Sequence, residues 1–248
     1  MSSLLLKITA LISMTIDHIG AIFFPSIPFF RFIGRLAFPI YCFLLVEGYE
    51  HTKEDKKRLF SYLLKLLIFA ILAEIPYNLA LYNSIFYLKA QNVLFELALG
   101  LIALKVYDLF KNQHLLSIIY LLLIALFAFI FRFDGGFAGI ILIIFFKLYK
   151  DNKKHIFAFI GLIQFLVIHL FIHILELENF TISSISKTLF EKAFLIGILF
   201  AFIFIIKYNE KKGYSSKFLQ LFFYAYYPLH LILLYLLTIL ISNNYLLS

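Results

Sequence analysis

The stretch LLLKITALISMTIDHIGAIFF, Leu4–Phe24, decides the solvent in which this chain folds. A bilayer core about 30 Å thick needs about 20 predominantly apolar residues in a helix, and this stretch supplies them with only Lys7, Asp17 and His18 ionisable. It lacks the small-residue cleavage site of a secretory signal, holds two ionisable residues in its apolar half and is followed by further apolar runs. The expectation is a retained membrane helix. Asp17 and His18 then stand in hydrocarbon, where a charged side chain costs about 2.5 to 3.5 kcal/mol even on the lenient insertion scale. Such a pair needs partners or a task.

The remainder of the chain agrees with its beginning. At 63% hydrophobic residues and a mean hydropathy of +0.97 over 248 residues, it is far more apolar than soluble domains, which run at about 45 to 50%. Cuts at charged or Pro/Gly/Asn-rich breaks leave spans at 4–24, 32–49, 59–81, 93–110, 115–131, 136–149, 155–175, 189–207 and 219–242. The expected fold is an all-α, polytopic integral membrane helix bundle of about nine transmembrane helices. Eight to ten stay open, because the sixth is short. No internal repeat or long linker divides the chain, so residues 1–248 are read as a single domain. The lone Cys42 excludes an intramolecular disulfide and a cysteine-built metal site. With no Trp, Phe and Tyr must supply the interfacial aromatics.

Lys and Arg set the orientation. Lys53, Lys56, Lys57 and Arg58, Lys105 and Lys111, Lys147, Lys150, Lys153 and Lys154, and Lys207, Lys211, Lys212 and Lys217 fall after even-numbered spans, on the side of Lys7. They outnumber Arg31, Arg35, Lys89, Arg132, Lys187 and Lys192 on the other side. The positive-inside rule places the N-terminus in the cytoplasm and the C-terminus outside, in a multi-pass protein of the cell (inner, cytoplasmic) membrane. These loops account for the net charge of +8. The lipid bilayer is thus an expected partner, and nucleic acid is not.

On this topology the intramembrane polar residues gather toward the outer side: His18, Arg35, Glu74 with Asn78, Asn92, Asp134 in the turn RFDGGFAG, and Glu191. His230, in YYPLH, lies closer to mid-membrane. A polar cavity open outward is implied. Blander readings stand beside it. Arg35 could snorkel to the interface, Glu191 could be a favourable acid in a first helical turn, and Asp17 could fix its helix against a neighbour. Glu47 and His51 could form a local i,i+4 pair. His169 and His173 share a helix face that could hold a metal, but no carboxylate at a fixed offset completes the set, so no metal is predicted.

His18 differs because an imidazole takes and returns protons near neutral pH, the property of a general base. Lys7 lies eleven residues earlier, and eleven steps of about 100° come within about 20° of three full turns, so the two share a face roughly 16 Å apart. A cation at the inner end and a base deeper in the same line suit a long anionic donor. Acyl-coenzyme A has that shape, with phosphates at one end and a thioester at the other.

Six stretches, LKITALISMTIDHIGAIFFP, FIGRLAFPIYCFLLVEGYEHT, FAILAEIPYNLA, QNVLFELALGLIAL, FDGGFAGI and YAYYPLHL, resemble in order the conserved blocks of the TraX family, whose founding member acetylates the N-terminus of conjugative pilin. The Lys7 to His18 spacing is also similar to the Arg-x10-His pattern of the acyltransferase-3 membrane acetyltransferases, with Lys in the Arg position. The resemblance implies a membrane acyltransferase that draws acetyl-CoA from the cytoplasm and delivers the acyl group outside. Its acceptor would be an amine or hydroxyl on a pilin-like protein, a peptide or a glycan.

His18, Arg35, Glu74 and His230 match the family's IDHIG, GRLAFP, EIP and YP-x-H blocks, while Asn78 departs from the Asp expected there. Within this reading His18 is the general base and Asp17 sets its tautomer or charge. Arg35 stabilises an oxyanion or holds an anionic acceptor group, and Glu74 orients His18 or Arg35 or binds a cationic acceptor. Asn78, Asn92, Asp134 and His230 contact substrate, and Lys7 receives the donor's phosphates. Two alternatives stand: a small-solute or proton-coupled transporter using the same ionisable residues, and a non-catalytic assembly factor for a pilus or secretion system.

Overall fold

A computed structural model describes residues 1–148, 154–175, 177, 181, 184–185, 188–189 and 192–246. Among these residues helix is the regular structure, joined only by an isolated bridge between Gln91 and Phe133. The helices are α1 (Ser3–Phe23), α2 (Pro28–Gly34), α3 (Ala37–Glu50), α4 (Lys56–Tyr82), α5 (Val93–Phe110), α6 (His114–Ile130), α7 (Gly136–Leu148), α8 (Lys154–Leu175), α9 (Gly197–Ile206) and α10 (Lys217–Leu246). A 3₁₀ turn, Ala193–Ile196, leads into α9. The chain is an all-α membrane helix bundle.

Local chemistry explains where the elements start and stop. Ser2 caps α1 by accepting the Leu5 N–H, Asp55 caps α4 through the N–H groups of Lys57 and Arg58, and Asn92 caps α5 through that of Leu94. Helix α4 ends at Asn83, whose φ of 50° is a left-handed conformation that Asn tolerates better than most residues. The expected second span is divided: α2 stops at Gly34, and α3 begins afresh at Ala37. Pro39 cannot donate to the carbonyl four residues back, so the ladder breaks behind it. In the first turn of a new helix the missing N–H costs nothing.

Among the described residues, four segments are long and apolar enough to cross a membrane by length and composition: Ser3–Phe23, Pro28–Glu50, Lys56–Tyr82 and Lys217–Ser242. Helix α5 has the length but carries Glu96, Lys105 and Asp108. Helices α6, α7 and α9 are shorter, at 17, 13 and 10 residues. Helix α7 can be short because it sits inside the bundle against α3, α5, α6 and α8, with Ala138, Ile140, Leu142, Ile143 and Phe146 all buried. By contrast α4, α6 and α10 present rows of exposed Leu, Ile and Phe, the surface that a hydrocarbon solvent covers.

The two ends of the bundle differ. At one end residues 1–4 pair with the loop after α9: Ser3 N–H donates to Lys211 O (2.8 Å), Leu4 N–H to Lys212 O (3.2 Å) and Asn209 N–H to Met1 O (3.0 Å). There Lys147 joins Glu50 and Asp108, Tyr49 OH donates to Asp108 (2.6 Å), and Lys53 pairs with Glu50 (2.9 Å). The hydrogen bond to Glu50 pushes the Lys53 ammonium above its ordinary range. Tyr208 OH donates to Glu47 (3.2 Å). The ends of α3, α5, α7 and α9 therefore meet the start of α1, as alternating helices require. At the opposite end the α4–α5 loop meets the α6–α7 turn, where Gln91 N–H donates to Arg132 O (3.0 Å).

Candidate functional site

A cavity of about 290 Å³ lies in the half of the bundle away from Met1. Its wall takes Met14, Asp17, His18 and Ala21 from α1, Arg31 and Gly34 from α2, Arg35 from the break, and Phe38 and Tyr41 from α3. Tyr77 and Tyr82 of α4, Asp134 of the α6–α7 turn, Phe165 of α8 and Tyr227 of α10 complete most of the remainder. Tyr82 stacks on Tyr87 with ring centroids 3.8 Å apart, and Tyr77 meets Tyr82 edge-on. Tyr77 is buried, whereas Tyr82 is exposed.

The break between α2 and α3 aims two guanidinium groups at one carboxylate. Arg31 Nη1 donates to Asp17 Oδ2 at 2.7 Å, and Arg35 Nη2 approaches the Asp17 oxygens at 3.3 and 3.4 Å. Gly34 makes this approach possible, since a Cβ there would come within 2.0 Å of Asp17 Oδ1. The end of α2 is further tied to α1 by Ser13, whose hydroxyl donates to the Ile33 carbonyl. Asp134 adds a second carboxylate to the cavity and is accessible within it. The formal charges of Asp17, Asp134, Arg31 and Arg35 cancel, which lowers the cost of holding them among helices.

His18 meets His230 across the α1–α10 interface. Its Nδ1 lies 2.7 Å from His230 Nε2, and His230 Nδ1 lies 2.9 Å from the carbonyl of Tyr226, one turn earlier on α10. The rings of Tyr226, His230 and His18 follow one another nearly parallel, with interplanar angles of 9° and 10°. Thr15 holds the register: its hydroxyl donates to the Leu11 carbonyl (2.9 Å) and receives the Tyr226 hydroxyl (2.8 Å). His18 is 8% exposed and lines the cavity; His230 sits behind it.

Several expected contacts fall elsewhere. Asp17 was expected to serve His18, but its carboxylate is engaged by Arg31 and Arg35, and His230 is the group hydrogen-bonded to the His18 ring. His230, expected to touch substrate, is that partner and is not among the cavity-lining residues. Glu74, Asn78 and Asn92 are not among the cavity-lining residues. They form a clamp between α4 and α5, in which Glu74 accepts from Asn92 Nδ2 (2.6 Å) and from Asn78 Nδ2 (3.2 Å). Asn92 also donates to the Ala70 carbonyl (2.9 Å) and is fully buried. The clamp forms because a half-buried carboxylate among helices needs donors, and two amides supply them.

Lys7 lies outside the cavity, with its ammonium 5.8 Å from the Phe223 ring centroid on α10. Both Lys7 and His18 therefore contact α10, as residues on one face of α1 must. Glu191 and the side chains of His169 and His173 lie outside the described residues. Among the described residues no group of three or more His, Cys, Asp or Glu is placed to hold a metal ion.

Sequence reasoning passed over Arg31, Tyr41, Tyr77, Tyr227 and Glu96. Arg31 was counted only as a loop charge, although its spacing of four from Arg35 puts both on one helical face. Glu96 is fully buried against Phe38 and Gly139, where a Cβ on Gly139 would come within 2.5 Å of its Oε1. An acid inside an apolar span was itself the signal. The tyrosines carried none.

The family model described as TraX protein matches residues 2–238 of the chain. A "Probable fimbrial assembly protein FimC, serogroup H1" of Dichelobacter nodosus is 29% identical over 249 aligned residues, covering 94% of each chain. An "Uncharacterized protein RP591" of Rickettsia prowazekii (strain Madrid E) is 45% identical over 58 residues, 23% of each chain. No solved structure matches the chain.

Proposed function

The chain belongs to the TraX family, and from that premise we propose that it is a membrane acyltransferase acting in pilus assembly or conjugation. It moves an acetyl or similar short acyl group from acyl-CoA to an amine or hydroxyl acceptor, such as a pilin N-terminus. The reading rests on one observation: an imidazole, a two-arginine cluster and an accessible carboxylate converge on one cavity in a membrane bundle. The relative named as a fimbrial assembly protein adds a pilin-like partner. In this reading the Met1 end faces the cytoplasm, because the lysine-bearing loops gather there, and the cavity faces the acceptor side of the inner membrane.

A cavity of about 290 Å³ suits the acyl end of a thioester together with the reacting atom of an acceptor, while the bulk of coenzyme A stays outside it. Lys7 and the loop bearing Lys207, Lys211 and Lys212, which is bonded to residues 1–4, offer cations to its phosphates. The donor supplies an acyl carbon, to which the acceptor's nitrogen or oxygen bonds as the carbon–sulfur bond breaks. His18 takes the acceptor's proton and returns it to the departing sulfur. Arg35, held by Asp17, offers N–H groups to charge developing on the acyl oxygen. Asp134 faces the same space and orients the acceptor.

The test uses the purified protein in detergent with acetyl-labelled coenzyme A and a pilin subunit or its N-terminal peptide. Label should pass to the acceptor with the parent protein, and His18→Asn should lower the rate by about 10²-fold or more. Absence of transfer to both an amine and a hydroxyl acceptor overturns the enzyme and leaves an assembly factor.

A further inference from the structure

We infer that His230 is a positioning residue that fixes the tautomer of His18, so that the base presented to the cavity is His18 Nε2. The inference rests on the acyl-transfer reading for its consequence but on hydrogen bonds alone for its content. A carbonyl oxygen only accepts, so the 2.9 Å contact between His230 Nδ1 and Tyr226 O requires a proton on that Nδ1. A neutral His230 then has a lone pair on Nε2. His18 Nδ1 lies 2.7 Å from that lone pair and must donate to it. A neutral His18 carrying its proton on Nδ1 keeps Nε2 bare. The direction of the whole chain is set by one backbone carbonyl on α10.

Three features hold this arrangement in place. His18 is 8% exposed and His230 5%, so water does not compete freely for either ring. Tyr226 packs flat on His230, with centroids 5.1 Å apart, and its hydroxyl is anchored to Thr15 of α1. Tyr227 flanks both rings, with its centroid 6.2 Å from that of His18, edge-on, and 5.6 Å from that of His230. The position serving His18 Nδ1 is therefore filled by a neutral imidazole, while the carboxylate next door in sequence, Asp17, serves the arginines. In the proposed reaction the acceptor's proton goes to His18 Nε2. The Nδ1 proton stays in the bond to His230, and the proton on Nε2 leaves with the donor's sulfur, so each ring ends as it began.

The test reads the rings directly. A free histidine side chain favours the proton on Nε2, so a proton held on Nδ1 is a distinctive state. With ¹⁵N-histidine incorporated into the detergent-solubilised full chain, the His18 signals are those lost in His18→Asn. The parent should show His18 protonated at Nδ1 and bare at Nε2. A parent with the reverse pattern overturns the inference, whatever its activity.

In His230→Leu, which offers no acceptor, His18 should move toward the Nε2-protonated form and turnover should fall by at least about 10²-fold with little change in the Michaelis constants. His230→Glu offers only acceptors and should restore the His18 ring state and most of the turnover. An unchanged His18 ring state in His230→Leu overturns the inference, as does a Glu variant no better than Leu. The expected ring states without any acyl transfer would establish the tautomer chain and overturn the reaction instead.

Discussion

Asp17 and Glu74 are both carboxylates inside apolar helices, and both accept from two donors, yet they belong to different kinds of structure. Glu74 is held by Asn78 and Asn92, stands outside the lining of the cavity described above, and joins α4 to α5. Asp17 is held by Arg31 and Arg35 at the wall of the cavity, beside a histidine pair with one ring nitrogen left over. The first set is packed between two helices and bonds only to itself and to nearby backbone; the second lines accessible space. Burying polar groups among helices is therefore no mark of a site. What distinguishes the site here is that its polar members face one shared cavity.

The contrast has a largest test, which is all-or-none. In a Cys42→Ser background, a single cysteine replacing Lys56 at the start of α4 or Leu88 in the α4–α5 loop reports on opposite ends of the bundle. An impermeant thiol reagent applied to intact cells should label the Leu88 position, which is 84% exposed, and spare the Lys56 position. The reverse pattern would turn the cavity toward the cytoplasm.

A second test exchanges the two regions. His18→Asn should cost activity, as stated above, and leave the unfolding midpoint in detergent within a few degrees. Glu74→Gln should do the opposite. One of its two amide partners loses its acceptor, which costs about 1 to 3 kcal/mol, so the midpoint should fall while turnover per folded molecule stays within about threefold. If Glu74→Gln keeps the midpoint and abolishes turnover, the clamp belongs to the site.

The smallest effect is expected at Lys7. Lys7→Gln should raise the Michaelis constant for acetyl-CoA several-fold and leave turnover nearly unchanged, because a phosphate contact is made equally in ground and transition states. Added salt should weaken donor binding in the parent more than in the variant, since screening acts on a charge the variant lacks. An unchanged Michaelis constant removes Lys7 from the donor's path.

Much of this was legible beforehand, for reasons that can be named. The bundle follows from spans whose length and apolarity match hydrocarbon, and most expected spans coincide with a helix among the described residues, although the second is divided into α2 and α3 and the eighth is carried by the 3₁₀ turn Ala193–Ile196 and the ten-residue α9. His18, Arg35 and Asp134 were legible because ionisable groups at depth are costly, and all three line the cavity. Glu74, Asn78 and Asn92 looked the same by that criterion and proved to be a clamp, since cost says that a group has partners without saying which. The shared service of Asp17 to Arg31 and Arg35 depends on the helix break at Arg35 and Leu36, ahead of Pro39, which lays the α2 segment against α1. The tyrosines at positions 41, 77 and 227 lie among sixteen in the chain. No spacing singled them out.

The ion cluster and the histidine pair differ in one further respect, the stretch of chain that each must wait for. Asp17 finds Arg31 and Arg35 within 14 and 18 residues, whereas His18 and His230 are 212 residues apart. At ordinary rates of about 5 to 20 residues per second, roughly 10 to 40 seconds of synthesis separate them. During insertion the charges at the cavity end can therefore be matched while the nascent chain is still short. The base is completed only when the final helix docks, so a polypeptide truncated before α10 would enter the bilayer with its ion cluster in place and its chemistry unfinished.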